Sequence, residues 1–290
     1  MNKAPAAEAS VAIRRGRHGH FMYLRGDAYV GRSLELYGEY SEDEVLLFRQ
    51  FVKPGAVVVE AGANIGALTI PLARLAGPTG RVVAIEPQRA LFNVLCGNLA
   101  LNGLLNVVPL RAAAGRVAGQ TILPVFPYHG KGNYGGVSVG DIQGAEAREA
   151  IAVIALDDLK LPRLDLLKID VEGSESEVLV GTAETIRRLR PALYVENDRR
   201  EKSAALIALL QEMDYALWWH LPPLFRVDNF HRNPDNIFGV IVSINLLALP
   251  REKGPSVQGL RPVAGAEDWW RVPETIEPSA PTPKKRKRKK

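Results

Sequence analysis

The sequence predicts an α/β fold with a doubly wound, mostly parallel sheet that ends in a C-terminal antiparallel hairpin. Residues 57–61 read VVVEA, and this β-branched run is typical of a parallel strand buried on both faces. From there to residue 213, strand-like stretches alternate with helical ones, which is the pattern of β-α-β units. No helical stretch separates the last two predicted strands, so we expect them to pair as an antiparallel hairpin with a long loop.

The first helix is predicted to begin after Ser41. Ser41 and Glu44 have the spacing of a helix capping box, and the helical pattern that follows ends at a Lys-Pro-Gly turn at residues 53–55. Further helices are predicted over residues 67–75, 88–101, 175–189 (with a break near Gly181) and 201–213. Strands are predicted over residues 57–61, 81–86, 106–110, 151–156, 164–170, 191–196, 215–221 and 237–244.

These elements divide the chain into four parts. Residues 1–40 form an N-terminal extension that is loose up to residue 20 and carries a short strand or two between residues 21 and 30. Residues 41–250 form the main domain, in which the glycine-rich stretch 115–144 is an inserted hairpin lying over the site. Residues 251–278 form an irregular extension, and residues 279–290 a proline-rich linker with a basic tail.

Composition indicates a soluble globular protein whose charge is unevenly distributed. The formal net charge is +5, but seven consecutive cations begin at Lys284 and end at Lys290, so the rest of the chain sums to −2. Such a run repels itself and forms an interaction tail, for which we expect at most nonspecific contact with polyanions. One cysteine, no apolar leader and no apolar run of about 20 residues together predict a cytoplasmic protein without a membrane span.

The turn after the first parallel strand indicates the class of nucleotide. A dinucleotide fold requires G-x-G-x-x-G, whereas here only Gly62 and Gly66 are present and an acid, Glu60, precedes them. Glu60 would repel a pyrophosphate but suits the amino group and sulfonium of S-adenosylmethionine. Glu86 ends the second strand, where a carboxylate can accept hydrogen bonds from both hydroxyls of a ribose. The two acids together predict S-adenosylmethionine as the cofactor.

Four motifs resemble the FkbM-type methyltransferases: EAGANIG at residues 60–66, IEP at 85–87, KIDVEG at 168–173 and YGEY at 37–40. The resemblance covers roughly residues 36–242, and it implies a class I, Rossmann-like fold that methylates hydroxyls of sugars, polyketides or other small metabolites. The family usually has Asp at position 60, and Glu60 keeps the charge. By the same resemblance, Glu39 and Tyr40 approach the cofactor. The predicted cofactor-binding residues are Glu39, Tyr40, Glu60, Gly62, Ala63, Asn64, Gly66, Glu86, Pro87 and Asp170.

The predicted catalytic residues are three carboxylates, Asp170, Glu172 and Glu196, which follow strands at the carboxyl edge of the sheet. A carboxylate there can accept the proton of a hydroxyl nucleophile or hold that hydroxyl in position. His220, at the end of a later strand, is a less favoured base. Asp170, Glu196 and Asn197 offer oxygen atoms for magnesium, but no spacing argues for such a site, and no metal is expected.

The function predicted from the sequence is therefore S-adenosylmethionine-dependent O-methylation of a hydroxyl on a sugar, a glycan or a small metabolite. Two alternatives stay open. One is a nucleic-acid methyltransferase tethered by the basic tail. The other is a cofactor-binding module without catalysis, because the sequence does not identify a base.

Overall fold

The computed structural model describes residues 10–125, 128, 130–136 and 147–270. Within them lie an eight-stranded central sheet, a three-stranded side sheet and an N-terminal hairpin. The basic tail and much of the glycine-rich insert, including residues 137–146, lie outside the described residues.

Strands and helices are numbered along the chain. The strands are β1 (Val11–Gly16), β2 (Gly19–Leu24), β3 (Val57–Ala61), β4 (Arg81–Ile85), β5 (Val107–Leu110), β6 (Ala113–Ala114), β7 (Gly119–Val125), β8 (Ala147–Ile154), β9 (Leu166–Ile169), β10 (Ala192–Glu196), β11 (Tyr215–His220), β12 (Asn245–Pro250) and β13 (Arg261–Pro262). The α-helices are α1 (Val30–Tyr37), α2 (Glu42–Phe48), α3 (Thr69–Ala76), α4 (Arg89–Leu101), α5 (Glu175–Val180), α6 (Ala183–Leu189) and α7 (Arg200–Glu212). Short 3₁₀ turns cover Leu156–Leu159 and Arg251–Lys253.

The central sheet confirms the predicted fold class. Its strand order is β13-β11-β12-β10-β9-β3-β4-β5. The five strands from β10 to β5 are parallel, and β12 inserts antiparallel between β10 and β11. The carboxyl ends of β3, β4, β9 and β10 therefore meet at one edge, which is where open α/β sheets bind ligands.

Burial on both faces explains why the central strands read as continuous apolar runs. Val58 and Val59 are neighbours on β3 and point to opposite faces, yet neither is exposed to solvent. Val59 belongs to the core cluster that contains Leu206 of α7, and Val58 to the cluster that contains Leu72 of α3. Helices thus cover the sheet from both sides, which makes β3 a rigid base for the turn that follows it.

The N-terminal extension is more ordered than predicted, because β1 already begins at Val11. Its hairpin is fixed to helix α4 by the fully buried side chain of Asn98. The Asn98 amide accepts from the backbone N–H of Met22 at 2.6 Å and donates to the carbonyls of Met22 and Ile65 at 2.9 and 2.7 Å. Its two donors and its acceptor thereby tie the hairpin to both α4 and the turn after β3.

Three predicted elements differ from the structure or gain a physical explanation. The last strand was predicted over residues 237–244, and this was wrong, since β12 occupies Asn245–Pro250 and the earlier residues are irregular. The strand predicted at 151–156 belongs to β8 of the side sheet, where it pairs with β7. The helix break at Gly181 is confirmed, and a Cβ there would lie 2.0 Å from the Gly115 carbonyl oxygen.

Among the described residues, no helix has both the length and the apolar character needed to cross a membrane.

Candidate active site

A cavity of about 480 Å³ opens at the carboxyl edge of β3, β4, β9 and β10. This volume is in the range of small-molecule sites. Most of the predicted site residues line it: Tyr40, Glu60, Gly62, Ala63, Asn64, Glu86, Asp170, Glu172 and Glu196. Glu39, Gly66 and Pro87 do not line it, although Pro87 borders a smaller cavity beside it.

The turn after β3 brings three strand ends together. The backbone N–H groups of Gly62 and Ala63 both donate to the Ile85 carbonyl at 2.9 Å, which joins the turn to β4. Gly62 has a φ of 85°, and a Cβ there would lie 1.7 Å from the Asp170 carbonyl oxygen. Only glycine permits both this conformation and this approach to the end of β9.

Glu60 is a buried acid at the floor of the cavity, with 1% of its surface exposed. Thr69 donates to its Oε2 at 2.6 Å. Burial raises the pKa of Glu60 to about 7, although Lys168 and the Thr69 hydrogen bond both act to lower it. Because burial disfavours the charged form of Glu60, a nearby cation would stabilise the ionised carboxylate.

Lys168 is the one lysine among the described residues that line this cavity, and it is 2% exposed. Its Nζ lies 2.9 Å from Asp170 Oδ2. Burial alone would lower the pKa of Lys168, but the nearby carboxylates of Asp170, Glu60 and Glu44 raise it above its ordinary value. This ion pair fixes the direction of the Asp170 carboxylate and leaves more negative than positive charge around the cavity floor.

Glu86 is held by the backbone at the end of β4. Its Oε2 accepts from the N–H of Asn64 and its Oε1 from the N–H of Gln88, each at 2.9 Å. Burial raises the pKa of Glu86 to about 7 against the effect of these two bonds. Each oxygen retains a lone pair, so the carboxylate can still accept two hydroxyl donors.

An apolar slot of about 50 Å³ lies next to Glu86. Its walls include Ile85, Pro87, Ala112 and Val171. A flat apolar ring is the kind of group that such walls bind, and Glu86 at the rim would face whatever the ring carries.

The opposite side of the cavity holds two buried polar atoms that have no hydrogen-bond partner among the described residues, Glu196 Oε2 and Asn245 Nδ2. Glu196 and Asn245 face each other on the neighbouring strands β10 and β12, and Asn245 is 3% exposed. Side chains opposite each other on paired strands have Cβ atoms about 5 Å apart. An unpaired acceptor therefore lies beside an unpaired donor.

Burial also raises the pKa of Glu196 well above its ordinary value, and Asp170 and Glu172 raise it further. Burial raises the pKa of Glu172 to about 7, with Asp170 adding to the effect and Arg199 opposing it. The guanidinium of Arg199 donates to Glu172 at 2.8 Å.

The carboxylates of Asp170, Glu172 and Glu196 lie within 4.8 Å of one another, which could hold a cation. Asp170 and Glu172 already pair with Lys168 and Arg199, so protein cations compensate part of this charge. Asn197, which the sequence added to such a site, instead donates to Ser203 at 2.8 Å.

Glu39 anchors residues 230–243, the segment that leads across the mouth of the cavity to β12. Its Oε2 accepts from Arg17 at 2.6 Å and from the backbone N–H of Phe230 at 2.8 Å. Tyr37 also holds this segment, since its hydroxyl donates to the Asp235 carbonyl and accepts from the Ile237 N–H. The segment continues through Ile241 and Ser243, which line the cavity, to β12.

Sequence reasoning missed Glu44 and Asn245. Ser41 does not cap α2 through a backbone N–H; its hydroxyl donates to Glu44 Oε1 at 2.7 Å, and Glu44 Oε2 is buried with no hydrogen-bond partner in the described part of the chain. Burial raises the pKa of Glu44 to about 7. Asn245 was visible as a polar residue within an apolar run. His220 points elsewhere, bonding the Tyr194 hydroxyl at 2.7 Å, and burial lowers its pKa to about 4.

Comparison with known proteins gives a consistent result. The family described as "Methyltransferase FkbM domain" matches residues 60–217. Methyltransferase sdnD of Sordaria araneosa is 32% identical over 157 residues, which are 44% of this chain and 60% of that protein. Methyltransferase 1 of Beauveria bassiana (strain ARSEF 2860) is 27% identical over 177 residues, 53% of this chain and 70% of that one.

A solved structure of Methyltransferase FkbM from Methylobacillus flagellatus KT is also similar, with 19% identity and a TM-score of 0.44. The match covers 71% of this chain and 50% of that one. The chain thus spans about 60% of the length of sdnD and half the length of the solved FkbM chain.

Proposed function

This chain belongs to the FkbM methyltransferase family, which matches it over more than half of its length, and on that premise we propose that it methylates a hydroxyl group of a sugar, a glycan or a small metabolite. S-adenosylmethionine is the methyl donor of the family, in agreement with the cofactor predicted from Glu60 and Glu86. When bound, it supplies a methyl group activated by a sulfonium.

The carboxylates at the carboxyl ends of β3 and β4 fit this cofactor. Glu86 would hold the ribose hydroxyls, with the apolar slot beside it for the adenine. Glu60 and Asp170 supply the negative charge that an α-amino group and a sulfonium require, and Tyr40 and Asn64 line the same wall. Glu44 Oε2, for which the described residues offer no hydrogen-bond partner, adds a buried acceptor on that side. No phosphate group is needed to satisfy this set.

The pair formed by Glu196 and Asn245 carries the proposal of a hydroxyl acceptor. A hydroxyl donates one hydrogen bond and accepts others, so it satisfies Glu196 Oε2 and Asn245 Nδ2 at once. A protonated amine can only donate and would leave Asn245 unpaired at a cost of about 1–3 kcal/mol. The buried pair therefore favours oxygen over a charged nitrogen.

Glu196 also suits the role of base. A hydroxyl loses its proton when it is methylated, and the ionised Glu196 carboxylate would take that proton. Because burial raises the pKa of Glu196, the ionised form is a stronger base than an exposed glutamate. Asp170, held by Lys168 at 2.9 Å, stays on the cofactor side and orients the reacting groups.

The test measures transfer of tritiated methyl from S-adenosylmethionine to pooled glycans, hydroxylated small metabolites and RNA. We expect counts in the glycan or metabolite pool. Glu196→Gln should lower kcat about 10²–10⁴-fold and leave the affinity for S-adenosylhomocysteine unchanged. Asn245→Ala should act mainly on KM of the acceptor. Glu184→Gln, on an exposed glutamate paired with Arg187, is the matched control. Counts in RNA alone would contradict the proposal, as would an unaffected Glu196→Gln variant.

A further inference from the structure

A second cavity of about 530 Å³ lies outside the candidate active site, and none of its described lining residues lines the first cavity. It is a groove between the β1–β2 hairpin and the C-terminal ends of α3 and α4. Its lining includes Arg15, His18, His20, Arg74 and Phe230.

The β1–β2 hairpin that forms one side of this groove is basic, whereas the body of the chain is mildly acidic. Residues 10–26 contain four arginines, two histidines and no acidic residue. Arg17 and His18 are compensated by Glu39 and Glu42, each at 2.6 Å. Within the described part of the chain, Arg15 and Arg74 form no ion pair with a carboxylate within 4.0 Å. Two guanidinium groups are therefore available to an anion in the groove.

Arg74 is held across the hairpin by a defined set of contacts. Its Nη2 donates to Asn102 Oδ1 at 3.3 Å, and the same oxygen accepts from the His20 N–H at 3.0 Å. The Asn102 amide donates in turn to the His20 carbonyl at 2.7 Å. At Gly19, a Cβ would lie 2.1 Å from Asn102 Oδ1 and 3.0 Å from Arg74 Nη2. A side chain there would collide with Asn102 and crowd the guanidinium of Arg74, so the turn leaves room for both side chains.

The groove also has an aromatic wall. Phe230 is 37% exposed, although its backbone is fixed through the N–H bond to Glu39. The Phe230 and His231 rings lie 5.5 Å apart, centroid to centroid. Cations beside a partly exposed aromatic ring are the combination by which proteins hold a phosphate and stack the attached base.

We propose that this groove binds a nucleotide, with Arg15 and Arg74 on its phosphate oxygens and Phe230 against its base. Guanidinium groups match phosphate oxygens with paired hydrogen bonds, and the volume of about 530 Å³ is in the range of sites for ligands of this size. The nucleotide is either a free nucleoside diphosphate or one unit of a single strand. In both cases the site is separate from the methyl-transfer cavity and independent of the acceptor proposed above.

The experiment measures binding of ADP to the full chain by calorimetry, with saturating S-adenosylhomocysteine present to block the first cavity. The variants are Arg15→Ala/Arg74→Ala and Phe230→Ala, and Arg148→Ala on β8 is the control, since Arg148 is also an exposed arginine and does not line the groove. Unchanged affinity for S-adenosylhomocysteine confirms that each variant is folded. We expect the double variant to lose at least tenfold in ADP affinity, Phe230→Ala several-fold, and the control nothing.

Two further probes define the ligand. Inorganic pyrophosphate should bind more weakly than ADP and should be insensitive to Phe230→Ala, because it has no base. A ten-residue oligouridine that binds much more tightly than UDP, with the difference lost in the double variant, identifies a strand, and equal affinities identify a free nucleotide. ADP binding that is undetectable at millimolar concentration, or that survives in the double variant, overturns the proposal.

Discussion

Replacing Glu60 with glutamine should stabilise the protein without ligand at alkaline pH and not at acid pH. Burial raises the pKa of Glu60 from 4.5 to about 7, so folding disfavours the charged form. An acid with a raised folded-state pKa stabilises the fold below pH 4.5 and loses that contribution as the pH rises through 7. The stability lost over this pH range corresponds to about 3 kcal/mol. Glu60 is 99% buried, so solvent screens little of this effect.

The assay is urea unfolding of wild type and Glu60→Gln at pH 5 and pH 8, without cofactor. Protonated glutamate and glutamine have similar shape and charge, so at pH 5 the free energies of unfolding of the two proteins should differ by less than about 1 kcal/mol. At pH 8 the variant should be more stable by about 3 kcal/mol. Glu184→Gln, at an exposed site, should show no such difference between the two pH values. If the wild type gains stability relative to Glu60→Gln as the pH rises, the description of Glu60 as a buried, poorly compensated acid is wrong.

Three further predictions concern the cofactor side and the hairpin. Glu86→Ala should weaken S-adenosylhomocysteine binding by about 100-fold or more in calorimetry, because the hydrogen bonds from the two ribose hydroxyls to a charged group contribute about 1.5–3 kcal/mol each, and a change under twofold would remove Glu86 from the ribose site. Gly62→Ala should lower the free energy of unfolding by more than about 2 kcal/mol in urea titration, because its Cβ would meet the Asp170 carbonyl oxygen at 1.7 Å; a wild-type unfolding curve would contradict this. Asn98→Ala should cost about 1–3 kcal/mol and increase hydrogen exchange of the Met22 N–H, whereas unchanged exchange would show that Asn98 does not hold the hairpin.

The sequence was sufficient where local pattern and burial agree. The apolar run of β3, the turn at Gly62 and the acid at Glu86 each have a local signature, and the structure brings them to one cavity. Periodicity also located the helix break at Gly181, although the reason for it, the contact with Gly115, depends on tertiary packing.

The parts that could not be read from sequence depend on contacts between distant segments. Glu39 matched a motif suggesting approach to the cofactor, yet in the structure its carboxylate binds Arg17 and the Phe230 N–H, which are 22 and 191 residues away in sequence. The apolar run 237–250 gave no signal for where the strand begins, because the residues before Asn245 pack over a cavity instead of joining the sheet. The position of Asn245 opposite Glu196 follows only from the antiparallel register of β12.

Central to the proposed function is the binding of a hydroxyl by the buried pair of Glu196 and Asn245. Once an acceptor has been found in the pooled assay, the direct test compares three forms of it that carry a hydroxyl, a hydrogen or an amino group at the methylated position. Methyl transfer from S-adenosylmethionine is measured by mass spectrometry of the product. We expect a methyl ether from the hydroxyl form and at least a hundredfold lower kcat/KM for the amino form. Equal or faster methylation of the amino form, or a methyl group found elsewhere on the deoxy form at an unchanged rate, would contradict the claim.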